Sequence, residues 1–169
     1  WKMISAEEVS AEVVEAVRSR DVDRFQRLLV SSDDLGGLGL GTEKLGQLKD
    51  RLKSAPADFA DFVKTQKMIG KETRWVSFGA SRPGLVPKGT DGSTSDLIAY
   101  ENALAVVEDS AGKNNQQLLI GTLVQVDGCW RLADVPKAGA DTVMQEGGFF
   151  FSSHTRMNAN DPHNLPMAT

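Results

Sequence analysis

Four polar side chains lie in apolar stretches of the sequence where they could line a binding pocket. Tyr100 and Asn102 share one β-rich stretch, Thr122 lies in the next, and Asp134 lies near the end of a third. Apolar walls with a few hydrogen-bonding groups are typical of a small-molecule pocket. They are equally typical of a core whose buried polar groups are satisfied. The sequence favours the core interpretation, with a pocket of Tyr100, Asn102, Thr122 and Asp134 as the alternative.

Alternation with a period of two also assigns the faces of these stretches. Apolar side chains dominate the even positions, which are Ile98, Tyr100, Asn102, Leu104 and Val106 in one stretch and Ile120, Thr122, Val124 and Val126 in the next. The odd positions include Ala99, Glu101, Ala103 and Gln125, which are small, charged or polar. Successive strand residues point to opposite faces of a sheet. The even face is therefore predicted to face the interior, and the odd face to meet solvent or a partner sheet.

Catalysis that depends on histidine, cysteine or a metal has little support. The two histidines, His154 and His163, lie in a C-terminal stretch without regular periodicity, and their spacing around Asp161 matches no regular metal-ligand pattern. Cys129 is the single cysteine, which excludes an internal disulfide, a CxxC redox pair and a thiolate zinc cage. Its position beside Trp130, with no cationic neighbour except Arg131, favours a packing role over a reactive thiolate. We expect no catalytic triad, no metal and no cofactor.

Acid/base chemistry without histidine stays open. Asp134 or Glu101 could act together with Tyr100, provided that burial raises the pKa of the carboxyl group towards neutrality. Nothing in the sequence establishes such burial.

The glycines of residues 36–41 invite comparison with a phosphate-binding loop. Their order, Gly-Gly-Leu-Gly-Leu-Gly, fits no G-x-G-x-x-G register, and no Lys-Ser or Lys-Thr pair follows Gly41. The preceding residues have a helical pattern, whereas such loops follow a strand. We interpret the segment as a connection between helices.

Composition predicts a soluble globular protein with one core. The chain has 169 residues, 40% of them hydrophobic and 25% charged, and contains no apolar run of the length that a membrane span needs. Its net charge of -4 argues against nucleic acid as a partner, because nucleic-acid binding normally needs a clustered basic surface.

The elements that would position the candidate residues follow from periodicity. Helical spacing predicts helices over residues 5–30 and 43–69, with caps at Ser5 and Asp21 and separate helices starting near Thr42 and Pro56. From Thr73 the period becomes that of a strand. This alternating pattern predicts at least four antiparallel strands, near residues 75–79, 96–107, 116–126 and 129–135, with a tight turn at 127–128. Trp75 and Trp130 are expected to be buried in them.

The chain is predicted to divide into an α+β domain over residues 1–137 and a C-terminal arm or linker over residues 138–169. Glycine and proline interrupt the arm, and it holds three consecutive phenylalanines, Phe149, Phe150 and Phe151. An exposed aromatic run favours association. We expect this run to dock on the domain or on a partner.

Helices followed by a meander of long strands resemble the cone-shaped domains of the nuclear-transport-factor-2-like (NTF2-like, cystatin-like, SnoaL-type) superfamily. The residues that carry the resemblance are Asp21-Val22-Asp23-Arg24-Phe25 at the start of the second helix and the hairpin of residues 121–132. The resemblance covers residues 5–136 and implies N-terminal helices packed on a curved antiparallel sheet. Residues 96–103 with this hairpin also resemble an accessory domain found beside redoxin domains in planctomycete-type bacterial proteins, which implies an exported parent in the periplasm or cell envelope.

Two functions are consistent with these observations. The first is a non-catalytic binding or interaction module of a larger exported bacterial protein, with an unknown small molecule or protein as partner and a possible homodimer through the sheet. The second is a pocket enzyme of the isomerase or dehydratase type, implied by the cone resemblance, which would use a carboxylate or Tyr100.

Overall fold

The computed structural model describes residues 5–80, 82–109, 114–138 and 149–150. Within these residues four helices pack against a curved antiparallel sheet of six strands, an α+β fold as predicted from the sequence. The helices are α1 (Ala6–Ser19), α2 (Val22–Gln26), α3 (Ser32–Gly37) and α4 (Thr42–Thr65). The strands are β1 (Arg74–Gly79), β2 (Gly84–Val86), β3 (Leu97–Glu108), β4 (Asn115–Val126), β5 (Cys129–Leu132) and β6 (Lys137–Ala138). None of these helices is apolar enough over sufficient length to span a membrane.

Local signals place the starts of the first helices. The Ser5 hydroxyl accepts a hydrogen bond from the backbone N–H of Glu8 at 3.1 Å, which satisfies one of the free amides at the start of α1. Asp21 accepts one from the backbone N–H of Arg24 at 3.0 Å and caps α2. Both predicted caps are confirmed.

The predicted break near Pro56 is wrong, because α4 is one helix of 24 residues with Pro56 inside it. Proline removes one backbone hydrogen bond from a helix interior. On both sides of it, however, one continuous apolar stripe is buried, formed by Leu48, Ala55, Phe59 and Val63. Packing of an amphipathic face supplies most of the stability of a helix in a protein, so the stripe outweighs the local defect.

The sheet runs in the order β1-β3-β4-β5, with β2 on β3 and β6 on β4. Asp127 and Gly128 join β4 to β5 with φ values of 51° and 78°, the positive pair that a type I′ turn requires. The predicted hairpin is therefore confirmed.

The first core cluster fills the space between the helices and the sheet. Its buried residues are Ala6, Val9, Val13, Val14, Ala16, Val17, Phe25, Leu28, Leu29, Ala55, Phe59, Val63, Ile69, Ala103, Ala105, Val107, Leu118, Ile120, Leu123, Trp130 and Leu132. Phe25 of α2 stacks on Phe59 of α4 with ring centroids 4.0 Å apart. Trp130 is buried, as predicted. Trp75 is only half-buried, because it lies on edge strand β1, and its indole N–H donates to the Ser10 hydroxyl at 2.9 Å.

The predicted faces of β3 are wrong. Ile98, assigned to the interior, is exposed, whereas Ala99 and Ala103 of the opposite face are fully buried. Small side chains let packed layers approach closely, so alanine on this strand marks an inner position. On β4 the even positions Ile120, Thr122 and Val124 are buried, as predicted, but the odd positions Leu119 and Leu123 are buried too, so burial does not alternate along this strand.

Candidate functional site

A bulge in β3 directs Glu101 towards Thr122. Tyr100 pairs with Leu123 and Ala103 pairs with Gly121, so Glu101 and Asn102 together face the single residue Thr122 of β4. Such a two-against-one arrangement re-aims a side chain. Asn102 adopts the left-handed conformation, with φ of 54°. The bulge brings the Glu101 carboxylate within 3.2 Å of the Thr122 hydroxyl, which donates to it.

Both oxygens of Glu101 accept hydrogen bonds from consecutive backbone amides. The N–H of Phe149 donates to Oε2 and the N–H of Phe150 donates to Oε1, each at 2.9 Å. Hydrogen bonds to an ionised acceptor are about twice as strong as those between neutral groups. Glu101 therefore holds the backbone of a segment that is 48 residues away in sequence.

The side chains of Phe149 and Phe150 are buried in the second core cluster. Their rings meet edge to face, with centroids 4.8 Å apart, and only 9% and 8% of the two residues is exposed. The cluster consists of Val30, Leu35, Leu38, Leu48, Val86, Leu97, Ala99, Val124, Ala133, Phe149 and Phe150. The expected docking of the aromatic run is thus found for these two residues, while Phe151 and most of the predicted arm lie outside the described residues.

Two cations of α4 flank the Phe149 ring. Lys44 Nζ lies 4.3 Å and Arg51 Cζ lies 4.7 Å from the ring centroid, within the range of cation–π attraction. Lys44 also donates to the carbonyl oxygen of Phe149. Lys44 and Arg51 are seven residues apart, so they lie on the same side of the helix two turns apart. We call the site formed by Glu101, Thr122, Lys44, Arg51 and the second core cluster without Phe149 and Phe150 the Glu101 cleft.

Asp134, two residues after the end of β5, supports the cleft. Its Oδ2 lies 3.4 Å from Arg51 NH1 and accepts a hydrogen bond from the Thr122 backbone N–H at 3.4 Å. The side chain packs over Gly121, which has φ of +87°, and a Cβ at Gly121 would come within 2.3 Å of Asp134 Oδ2. Both the backbone conformation and the close approach require glycine here.

Replacing Gly121 by alanine should therefore destabilise the protein by about 1–3 kcal/mol, the cost of a residue held in a strained backbone conformation. Displacement of Asp134 adds to this cost. Urea unfolding measures the change. The control is Gly46→Ala, inside α4 with no atom within 4 Å of the new Cβ, which should raise stability by about 1 kcal/mol. Equal effects of the two substitutions would contradict the assigned role of Gly121.

The pKa of Glu101 is raised above its ordinary value. Burial is the main cause, and the negative charge of Asp134 adds to it, while the amides of Phe150 and Phe149 and the Thr122 hydroxyl act in the opposite direction. Glu101 is one of the two carboxyl groups named above as acid/base candidates, and burial shifts its pKa in the direction that such chemistry requires.

A raised pKa in the folded state predicts a pH dependence of stability. The stabilising contribution is complete below the unfolded-state pKa, about 4.3 for glutamate, and is lost as the pH rises through the folded-state pKa. The free energy of unfolding of the natural protein, minus that of Glu101→Gln, should therefore fall as the pH rises from 4 to 7. Denaturant titrations at several pH values measure it, and a difference that stays constant or increases would contradict the assignment.

The structure brings together only part of the predicted pocket. Thr122 and Asp134 meet in the Glu101 cleft. Tyr100 instead packs in the first core cluster, with its ring centroid 5.2 Å from Phe78 and 4.8 Å from Trp130. Asn102 lies in the bulge. Convergence of all four on one pocket stays a prediction.

Lys44 and Arg51 were missed by the sequence reasoning. The available signal was their seven-residue spacing on a helix, together with an acidic residue inside an apolar strand.

Among the described residues no group of three or more metal-ligating side chains occurs, and His154 and His163 lie outside them. Comparison of the chain with protein-family models, curated proteins and solved structures gives no match.

Proposed function

We propose that the chain is a non-catalytic binding module whose Glu101 cleft recognises a bent segment with two adjacent aromatic residues. The observation that carries the proposal is the pair of hydrogen bonds from consecutive amides to the two oxygens of Glu101. Backbone recognition fixes a segment in place, and pockets for neighbouring side chains select its sequence, which is the usual division of roles in peptide binding.

The chemistry of the cleft supports aromatic selectivity. Its walls are aliphatic, and Lys44 and Arg51 lie over one ring, where an aliphatic side chain would gain no cation–π attraction. In this structure Phe149 and Phe150 of the same chain occupy the cleft. A segment of the same chemistry from another molecule would compete with them for Glu101.

The test uses a variant whose own segment can no longer dock. Phe149→Ala combined with Phe150→Ala should vacate the cleft, and a peptide with the sequence of residues 146–152 should then bind it in a one-to-one complex, measured by calorimetry. The natural chain should bind the peptide on the order of tenfold more weakly, because its attached segment competes at a high effective concentration.

A peptide with serine in place of both Phe149 and Phe150 is the matched control. Circular dichroism establishes that the double variant is folded. Absence of binding to the folded variant, or equal binding of the two peptides, would show that the cleft has only a structural role. If the double variant is unfolded, the two peptides are compared instead by their weaker binding to the natural chain, where each must compete with the attached segment.

A carboxylate-dependent enzyme of the isomerase or dehydratase type is the second candidate. The raised pKa of Glu101 beside the charge of Asp134 favours it. Both oxygens of Glu101 are bound by the docked segment, so a substrate would need the vacated cleft. Conversion of a metabolite by the double variant, lost on adding Glu101→Gln, would establish an enzyme, whereas peptide binding without turnover supports the module.

We also propose that the helices and curved sheet correspond to the NTF2-like cone. The antiparallel sheet order and the closing hairpin support this assignment. Membership of a larger exported protein related to redoxin-associated domains, a cell-envelope location and a homodimer through the sheet stay predictions.

A further inference from the structure

A second concave surface lies where α4 faces the end of α2, the start of α3 and β5. Its volume is about 670 Å³, within the range of small-ligand sites. The lining consists of Gln26, Arg27, Leu29, Val30, Ser31, Ser32, Leu35, Lys49, Leu52, Lys53, Pro56 and Arg131. We call this surface the basic groove.

The charge of the groove is opposite to that of the chain. Four of its described lining residues are cationic, namely Arg27, Lys49, Lys53 and Arg131, and none is acidic, although the chain has a net charge of -4. Asp34 lies beside the groove and pairs with Arg131 at 3.6 Å. The ion pairs of the described residues do not include Lys49 or Lys53. These two exposed lysines, one helical turn apart, can therefore neutralise an incoming anion.

The same groove has an apolar side. Leu29, Val30 and Leu35 are largely buried there, and Leu52 and Pro56 of α4 are partly buried beside the lysines. A cationic rim beside an apolar floor matches an amphipathic anion, because the acidic group and the apolar body each meet their complement. A purely ionic ligand would leave the floor in contact with water.

We propose that the basic groove binds a small amphipathic anion, with an acidic headgroup at Lys49 and Lys53 and an apolar body along the floor. The groove shares the buried residues Val30 and Leu35 with the second core cluster, but none of its cationic residues belongs to the Glu101 cleft. The proposal does not depend on the function proposed for that cleft.

Decanoate is the probe, and calorimetry on the natural chain measures its binding. Decanoate should bind with one-to-one stoichiometry. Decanol, which lacks the charge, and inorganic phosphate, which lacks the apolar body, should each bind at least about tenfold more weakly. Raising the ionic strength should weaken decanoate binding, because salt screens exposed charges.

Charge removal locates the site. Lys49→Gln combined with Lys53→Gln should weaken decanoate binding by about tenfold or more, since each lysine contributes Coulomb attraction at the rim. Both side chains are exposed, so the variant should stay folded. The matched control, Lys64→Gln with Lys67→Gln, removes the same charge from exposed positions in the last turn of α4 and just after it, and should leave binding unchanged.

Three results would overturn the proposal. The first is that decanoate shows no saturable binding. The second is that both double variants lose the same amount of decanoate affinity. The third is that Lys44→Gln abolishes decanoate binding, whereas Lys49→Gln with Lys53→Gln leaves it intact. The last result would place the anion in the Glu101 cleft. A folded Glu101→Gln variant that keeps decanoate binding but loses peptide binding would separate the two sites.

Discussion

Replacing Trp130 by alanine should lower the free energy of unfolding by about 3–5 kcal/mol, the loss expected for a large buried aromatic residue. The residue is 9% exposed, and its ring packs 4.8 Å from that of Tyr100. It also pairs with Gln125 across the β4–β5 hairpin, which leads directly to Asp134 at the cleft. The loss should therefore weaken both the core and the support of the candidate site.

Urea unfolding followed by circular dichroism measures this loss. Trp75→Ala is the matched control and should cost less, because Trp75 is half-buried on an edge strand. A Trp130→Ala variant with an unaltered unfolding midpoint would contradict the assigned packing of the hairpin.

Replacing Glu101 by glutamine in the variant with the vacated cleft should weaken peptide binding by about tenfold to a hundredfold. Glutamine keeps the size of the side chain and one acceptor oxygen, but it places an NH₂ donor opposite the second backbone N–H. An unsatisfied buried donor costs about 1–3 kcal/mol, which corresponds to this change in affinity.

The control for this prediction is Glu108→Gln on the same strand. Glu108 pairs with Arg74 on edge strand β1 and has no part in the cleft. Its replacement should leave peptide affinity unchanged. Equal affinities of the Glu101→Gln variant and its parent would exclude the carboxylate as the recognition group.

Elements that depend on neighbouring residues could be predicted from the sequence. Asp127-Gly128 specifies its own turn by tolerating positive φ, and Ser5 and Asp21 cap helices within three residues of themselves. These predictions need no knowledge of what the elements pack against, and the structure confirms them.

Features that depend on distant residues could not be predicted in the same way. Pro56 is tolerated because of the surface against which α4 packs, and the burial of Ala99 and Ala103 depends on how closely other elements approach β3. The bulge at Glu101 and Asn102 is a mismatch between two strands, so neither strand alone encodes it. Glu101 could be named as an acid/base candidate, but its partners on α4 and at 149–150 arise only from the fold.

Amide hydrogen exchange at Phe149 and Phe150 tests the central claim most directly. If Glu101 holds these two N–H groups, both should exchange far more slowly than in an unstructured peptide, and Glu101→Gln should accelerate their exchange while core amides such as Leu123 keep their protection. Exchange at the unstructured rate in the natural chain, or equal protection in the Glu101→Gln variant, would contradict recognition of the segment by Glu101.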